Sequence, residues 1–130
     1  MIEVDIELPS YIKVGEPFTL RYTVTNPLDF DIEVFIRVFL GDTEVGRSSV
    51  YLEPGQTDSG EIVLTPYSSP YTIRIIGEAY SDGVLIAEGG IEVTLTEAAA
   101  GIPTPIRVIP LVIGAGMMAG GMYREYRQKV

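Results

Sequence analysis

The sequence predicts an all-β sandwich of seven strands followed by a single C-terminal transmembrane helix, and three observations carry that reading. Up to Glu97, polar and apolar residues alternate at the period of strands, with turn-forming clusters between them. Beyond it, the run Val108–Tyr123 holds no charged residue and is followed at once by Arg124, Arg127 and Lys129, an apolar stretch closed by a basic stop. The charge divides at the same boundary. Residues 1–97 carry 5 Lys and Arg against 17 Asp and Glu, whereas residues 98–130 carry 4 against 1, within a net charge of −9.

The strands follow in order. Ile2–Leu8 alternates from the first residues, with Ile2, Val4 and Ile6 set against Glu3, Asp5 and Glu7. The turn cluster Val14-Gly15-Glu16-Pro17 precedes Phe18–Thr25, where Phe18, Leu20, Tyr22 and Val24 share one face and Thr19, Arg21, Thr23 and Thr25 the other, as in a sheet with one wet side. Asn26-Pro27 ends that strand and Ile32–Leu40 is the third. Gly41-Asp42 leads to Val45–Leu52, Pro54-Gly55 to Gly60–Leu64, the span Pro66 to Pro70 to Tyr71–Tyr80, and Asp82-Gly83 to Leu85–Leu95, each break rich in residues that supply turn geometry. Seven strands in about 95 residues match the size of an immunoglobulin-like domain, which the reading places at residues 1–97.

Two strands carry large apolar residues on both faces. In the third, Ile32, Val34, Ile36, Val38 and Leu40 form the core row and leave Phe35 and Phe39 opposite; in the sixth, Tyr71, Ile73, Ile75 and Ala79 point inward and leave Ile76 and Tyr80 outward. In an immunoglobulin-like topology these strands are neighbours, so Phe35, Phe39, Ile76 and Tyr80 are expected to form one exposed apolar patch, a partner interface. The competing expectation is that a loop or linker of the same chain covers them.

Residues 98–104 (AAAGIPT) read as a linker, 105–123 as the transmembrane helix and 124–130 as a basic tail. Thr104 is an N-cap and Pro105 a first helical residue, and a helix to Tyr123 would be about 28 Å long, near the thickness of a hydrocarbon core. Arg107 in the first turn would reach the headgroups, and with Arg124, Arg127 and Lys129 flank the bilayer. Ala115, Gly116, Ala119 and Gly120 sit at the spacing that lets two helices pack closely, which points to a homo-oligomer. A buried helix within a soluble assembly is the alternative. Basic residues favour an inner leaflet, so the β-domain is expected on the side opposite the tail, in a virion membrane or a cell envelope. No export leader precedes the first strand, so insertion is expected to rest on the C-terminal segment.

The composition excludes more than it proposes. There is no Cys and no His, which removes disulfides, thiol nucleophiles, imidazole bases and the usual zinc ligands together. Catalytic residues, metal ligands and cofactors are all expected to be none. The acidic stretches Asp29-Phe30-Asp31-Ile32-Glu33 and Asp58-Ser59-Gly60-Glu61 match no complete calcium-loop pattern and read as solvated loops. An acidic domain repels phosphate backbones, so nucleic acid is not an expected partner. Without Trp there is no strong aromatic platform for a sugar.

The segments Val14-Gly15-Glu16-Pro17-Phe18, Val24-Thr25-Asn26-Pro27, Leu52-Glu53-Pro54-Gly55-Gln56 and Tyr71-Thr72-Ile73-Arg74-Ile75 carry a resemblance. Residues 2–96 resemble the CARDB-type and related immunoglobulin-like domains of bacterial and archaeal surface proteins. The resemblance implies a β-sandwich used for adhesion or assembly, with no catalytic site to carry over. The expectation is therefore a non-catalytic, membrane-anchored structural protein. It would link a lipid bilayer to the protein chains of a surrounding assembly such as a viral capsid shell, or serve cell-envelope adhesion and surface-layer contact.

Overall fold

The computed structural model describes residues 1–98 and 106–115, which form nine strands: β1 Ile2–Pro9, β2 Tyr11–Ile12, β3 Phe18–Thr25, β4 Ile32–Leu40, β5 Thr43–Leu52, β6 Thr57–Leu64, β7 Tyr71–Ser81, β8 Val84–Glu97 and β9 Ile106–Ala115. Two layers face each other. One has the order β9-β1-β3-β6 and the other β5-β4-β7-β8, all neighbours within each layer antiparallel. The layers join where β8 pairs with β9 at Ala87↔Ala115 and Glu88↔Gly114. At the other end of β8 the short β2 pairs with it in parallel.

The alternation that defined each strand in the sequence becomes its inside and outside. Ile2, Val4, Ile6 and Leu8 of β1, Leu20, Tyr22 and Val24 of β3, and Ile62 and Leu64 of β6 are buried against Ile32, Val34, Ile36 and Val38 of β4 and Tyr71, Ile73, Ile75 and Ala79 of β7. Each such aliphatic side chain stabilises the fold by about 1.5–3 kcal/mol relative to exposure. The β7–β8 hairpin turns at Asp82 and Gly83, whose φ values of 51° and 75° suit the tight turn that follows strand twist.

Two expectations for the C-terminal region are corrected. Residues 106–115, expected as the first half of a transmembrane helix, are strand β9, in register with β1 from Ile2↔Ile113 to Pro9↔Ile106. The sandwich therefore extends past Glu97 to Ala115. The physical reason lies in the residues: Ile106, Val108, Ile109, Val112 and Ile113 are β-branched and favour a strand. Pro110 would cost a helix interior about 3 kcal/mol, and a strand accommodates it when its nitrogen, with no hydrogen to donate, faces away from the ladder. Among the described residues no helix is long and apolar enough to cross a membrane. Most of the expected linker, the remainder of the expected helix (116–123) and the basic tail (124–130) lie outside the described residues.

Two details lock the layers. Asn26 is the buried polar residue among those described, and its amide is fully used. It donates to the carbonyls of Phe30 and Leu52 at 2.8 and 3.2 Å and accepts from the Leu28 N–H at 2.9 Å. Its backbone also pairs with Gly55 and Gln56, so one side chain ties the β3–β4 loop to the β5–β6 turn. Across the open edge between β5 and β6, the Tyr22 ring lies over Gly60 and its hydroxyl meets Ser48 Oγ at 2.8 Å.

A Cβ at Gly60 would overlap the Tyr22 phenol. Gly60→Ala is expected to lower stability by about 1–3 kcal/mol through overpacking. Denaturant unfolding of a double-mutant cycle checks the cause: the loss should shrink in a Tyr22→Leu background, where the crowding ring is gone. An equal loss in both backgrounds would place the strain elsewhere.

Candidate interaction surface

The outer face of the β5-β4-β7-β8 layer is built by the alternation itself. With the core rows of β4 and β7 turned inward, Glu33, Phe35, Arg37 and Phe39 of β4 and Arg74, Ile76, Glu78 and Tyr80 of β7 are left outside. The structure makes β4 and β7 neighbours, so Phe35, Phe39, Ile76 and Tyr80 do share one face. Their arrangement differs from a continuous apolar patch. The register sets Phe35 opposite Glu78, Phe39 opposite Arg74, Ile76 opposite Arg37 and Tyr80 opposite Glu33, so every apolar residue faces a charged one.

This interleaving leaves all four residues half-buried by neighbours on their own sheet. Phe35 and Tyr80 meet edge to face at 5.4 Å between ring centres. Phe39 lies between two guanidinium groups, with Arg37 and Arg74 at 5.0 and 5.1 Å from its centroid. Such cation–π contacts contribute about 0.5–1 kcal/mol at exposed sites. Arg37 is fixed in turn: its Nη2 donates to Glu44 at 2.8 Å and its Nη1 to Glu78 at 3.3 Å. Arg47 Nε donates to the same Glu44 at 2.7 Å. Hydrogen bonds from Arg47 and then Arg37 hold the Glu44 carboxyl down to about 2.

At one end of the face, a groove of about 320 Å³ is lined by Phe30, Asp31, Glu33, Tyr51, Tyr80 and Asp82 among others. The Tyr51 hydroxyl donates to Asp31 Oδ2 at 2.7 Å, and the phenol is held above its usual range by that bond and then by burial. Asp29 and Asp31 are exposed, while Glu33 stands on the outer row of β4. Among the described residues, no group of three or more acidic side chains is placed to hold a metal. In the second acidic stretch, Glu61 is bound by Arg21, whose Nε donates to it at 3.0 Å, and Asp58 accepts from the Ser59 N–H.

The structure disperses the expected membrane-flanking and helix-packing residues. Arg107 is a half-buried residue of β9 whose guanidinium donates to the Thr94 carbonyl of β8 at 3.2 Å, a bond across the seam between the layers where headgroup contact was expected. Ala115 closes β9, which removes it from the expected helix-packing set. Gly116, Ala119, Gly120, Arg124, Arg127 and Lys129 lie outside the described residues. The residues that sequence reasoning missed are Arg37, Arg74 and Tyr51. Their outward positions could be read from the alternation, but their neighbours depend on register.

No protein-family model and no curated protein matches the sequence. Among solved structures, the chain is similar to the CARDB domain of a Pyrococcus furiosus protein in complex with di-metal ions. The TM-score is 0.56 at 16% identity, covering 74% of this chain and 88% of that one. It is also similar to part of a β-glucosidase from Erythrobacter marinus, with a TM-score of 0.46 at 17% identity over 71% of this chain and 15% of that one. The fold is that of a CARDB-type β-sandwich.

Glu44 generates a pH prediction. Its carboxyl sits at about 2 in the folded state against an ordinary 4.5. Its contribution is therefore complete above the ordinary value and is lost as pH falls through the folded one. Thermal melts from pH 6 to 2 should show wild type losing stability more steeply than Glu44→Gln below about pH 4.5. Parallel curves would mean that the Arg37–Glu44–Arg47 cluster does not hold in solution.

Proposed function

We propose that this chain is a non-catalytic interaction module whose contact surface is the outer face of β5-β4-β7-β8. The single observation that carries the reading is the register-locked alternation of aromatic and charged side chains on β4 and β7. Aromatic residues and Arg are the side chains enriched at protein–protein contacts. The CARDB-type fold supports a surface-associated immunoglobulin-like domain, and a cell-envelope adhesion or surface-layer contact is the setting that agrees with it. The other setting, a link between a virion membrane and its shell, drew its support from a helix over residues 105–123. With Ile106–Ala115 in a strand, the uncharged stretch that remains runs from Gly116 to Tyr123, far short of the about 20 residues needed to span a bilayer as a helix.

A photo-crosslinking residue at Phe35, in the native cell or particle, is expected to join one dominant partner, while the same residue at Thr23 on the opposite outer face gives little product. Phe39→Ser should abolish the Phe35 product with a modest loss of thermal stability. Equal labelling from both faces would sink the assignment of the contact surface.

The reading also takes the module to need no metal, although one structural neighbour was crystallised with di-metal ions. Melts in excess calcium and in chelator should superimpose, since a ligand bound to the folded state alone raises stability with the logarithm of its concentration. A calcium-dependent rise of several degrees would move Asp29, Asp31 and Glu33 from solvated loop to metal site.

A further inference from the structure

The other outer face, that of β9-β1-β3-β6, carries an apolar row with nothing against it among the described residues. Ile106, Val108 and Val112 are 64, 57 and 43% exposed, and Pro110 is exposed between them. Register places an acidic row directly beside it: Val112 lies opposite Glu3, Pro110 opposite Asp5 and Val108 opposite Glu7. Arg21 of β3 reaches Glu7 at 3.9 Å, whereas among the described residues no ion pair engages Glu3 or Asp5.

The charge beside the row discriminates between occupants. A second copy packed face to face would bring two acidic rows together, in a chain already at −9. An anionic lipid surface would be repelled for the same reason. A segment that is apolar first and basic afterwards fits both rows, and the chain carries one. Residues 116–123 hold no charge, and Arg124, Arg127 and Lys129 follow with Glu125 as the one acid. That segment starts directly after β9 ends, four residues past Val112. The row from Val112 back to Ile106 spans about 20 Å at strand rise. The segment must turn back at Ala115, about 30 Å from Ile106 at strand rise, so eight residues, at most about 28 Å long, cover the Val112 end of the row as far as Val108 and bring the basic residues beside Asp5.

We propose that residues 116–130 cover the Val112 end of this face, the uncharged stretch on Val112 and Val108 and the basic residues against Glu3 and Asp5. It lies on the opposite side of the sandwich from the proposed contact surface and does not depend on it.

Limited trypsin digestion of the full chain, read by intact mass, tests the proposal through cleavage after Arg124 and Arg127. Two double variants are compared with wild type: Glu3→Gln with Asp5→Asn, and Val108→Thr with Val112→Thr, the latter retaining β-branched side chains. Cleavage after Arg107 in the same digests reports whether β9 itself has opened. Both variants are expected to cut about tenfold faster in the tail at an unchanged rate after Arg107, because proteolysis follows the population of the undocked form. Equal tail cleavage in all three proteins overturns the proposal. Protection that disappears on hundredfold dilution overturns it in favour of a second copy. Protection that appears only with phosphatidylserine vesicles overturns it in favour of lipid.

Discussion

The pairing of β9 along the full length of β1 is the constraint on which the rest of the molecule depends. Ile2, Val4, Ile6 and Leu8 are buried under that pairing. Without it β1 would be an open edge, with unpaired backbone groups and a core row beneath. Leu111 and Ile113 complete the core from β9, and the Val112 carbonyl comes so close to β8 that a Cβ at Gly89 could not fit. Glycine at that position is therefore a condition for the two layers to join. The same commitment removes Ile106–Ala115 from any membrane-spanning helix and leaves the outward half of β9 apolar.

Most of the fold was legible because the sandwich writes its period into the sequence. Phe18–Thr25 and Ile32–Leu40 appear with the expected bounds, since one face of each is polar or bounded by clear turn residues. The two strands that were missed were missed for different reasons. The two residues of β2 are too few to show a period and exist because the chain, past Pro9, switches from β9 to β8. β9 is apolar on both faces, so its alternation of buried and exposed residues is invisible in hydropathy. A run of apolar residues marks burial or lipid only when its two faces cannot be told apart by their partners, and here Glu3, Asp5 and Glu7 are those partners.

The candidate surface was legible by face and illegible by register. Outward positions of Phe35, Phe39, Ile76 and Tyr80 follow from the inward rows of β4 and β7. The pairing of each with a charge follows from a relative alignment that a single strand does not encode. One residue of slip in that alignment would turn the β7 row to the other side of the sheet. The buried rows forbid this, so the apolar and charged positions are fixed together. The result is a mixed surface, half-covered by its own arginines, where a continuous apolar patch was expected.

That mixture bears on how such a face can bind. A flexible arginine placed against a partner loses rotamer freedom on association, a cost of about 0.5–1.5 kcal/mol per ordered side chain. Arg37 is already held by Glu44 and Glu78 and already covers one side of Phe39, so much of that ordering is complete before any partner arrives. Burying a charge usually costs more than it returns unless its hydrogen bonds are met. Here Glu44 accepts from both Arg37 and Arg47, so a partner need not supply the counter-charges. What a partner must supply is a surface that fits the exposed sides of Phe35, Tyr80 and Ile76 without separating these ion pairs. Shape set by register, more than net charge, is then what this face can discriminate.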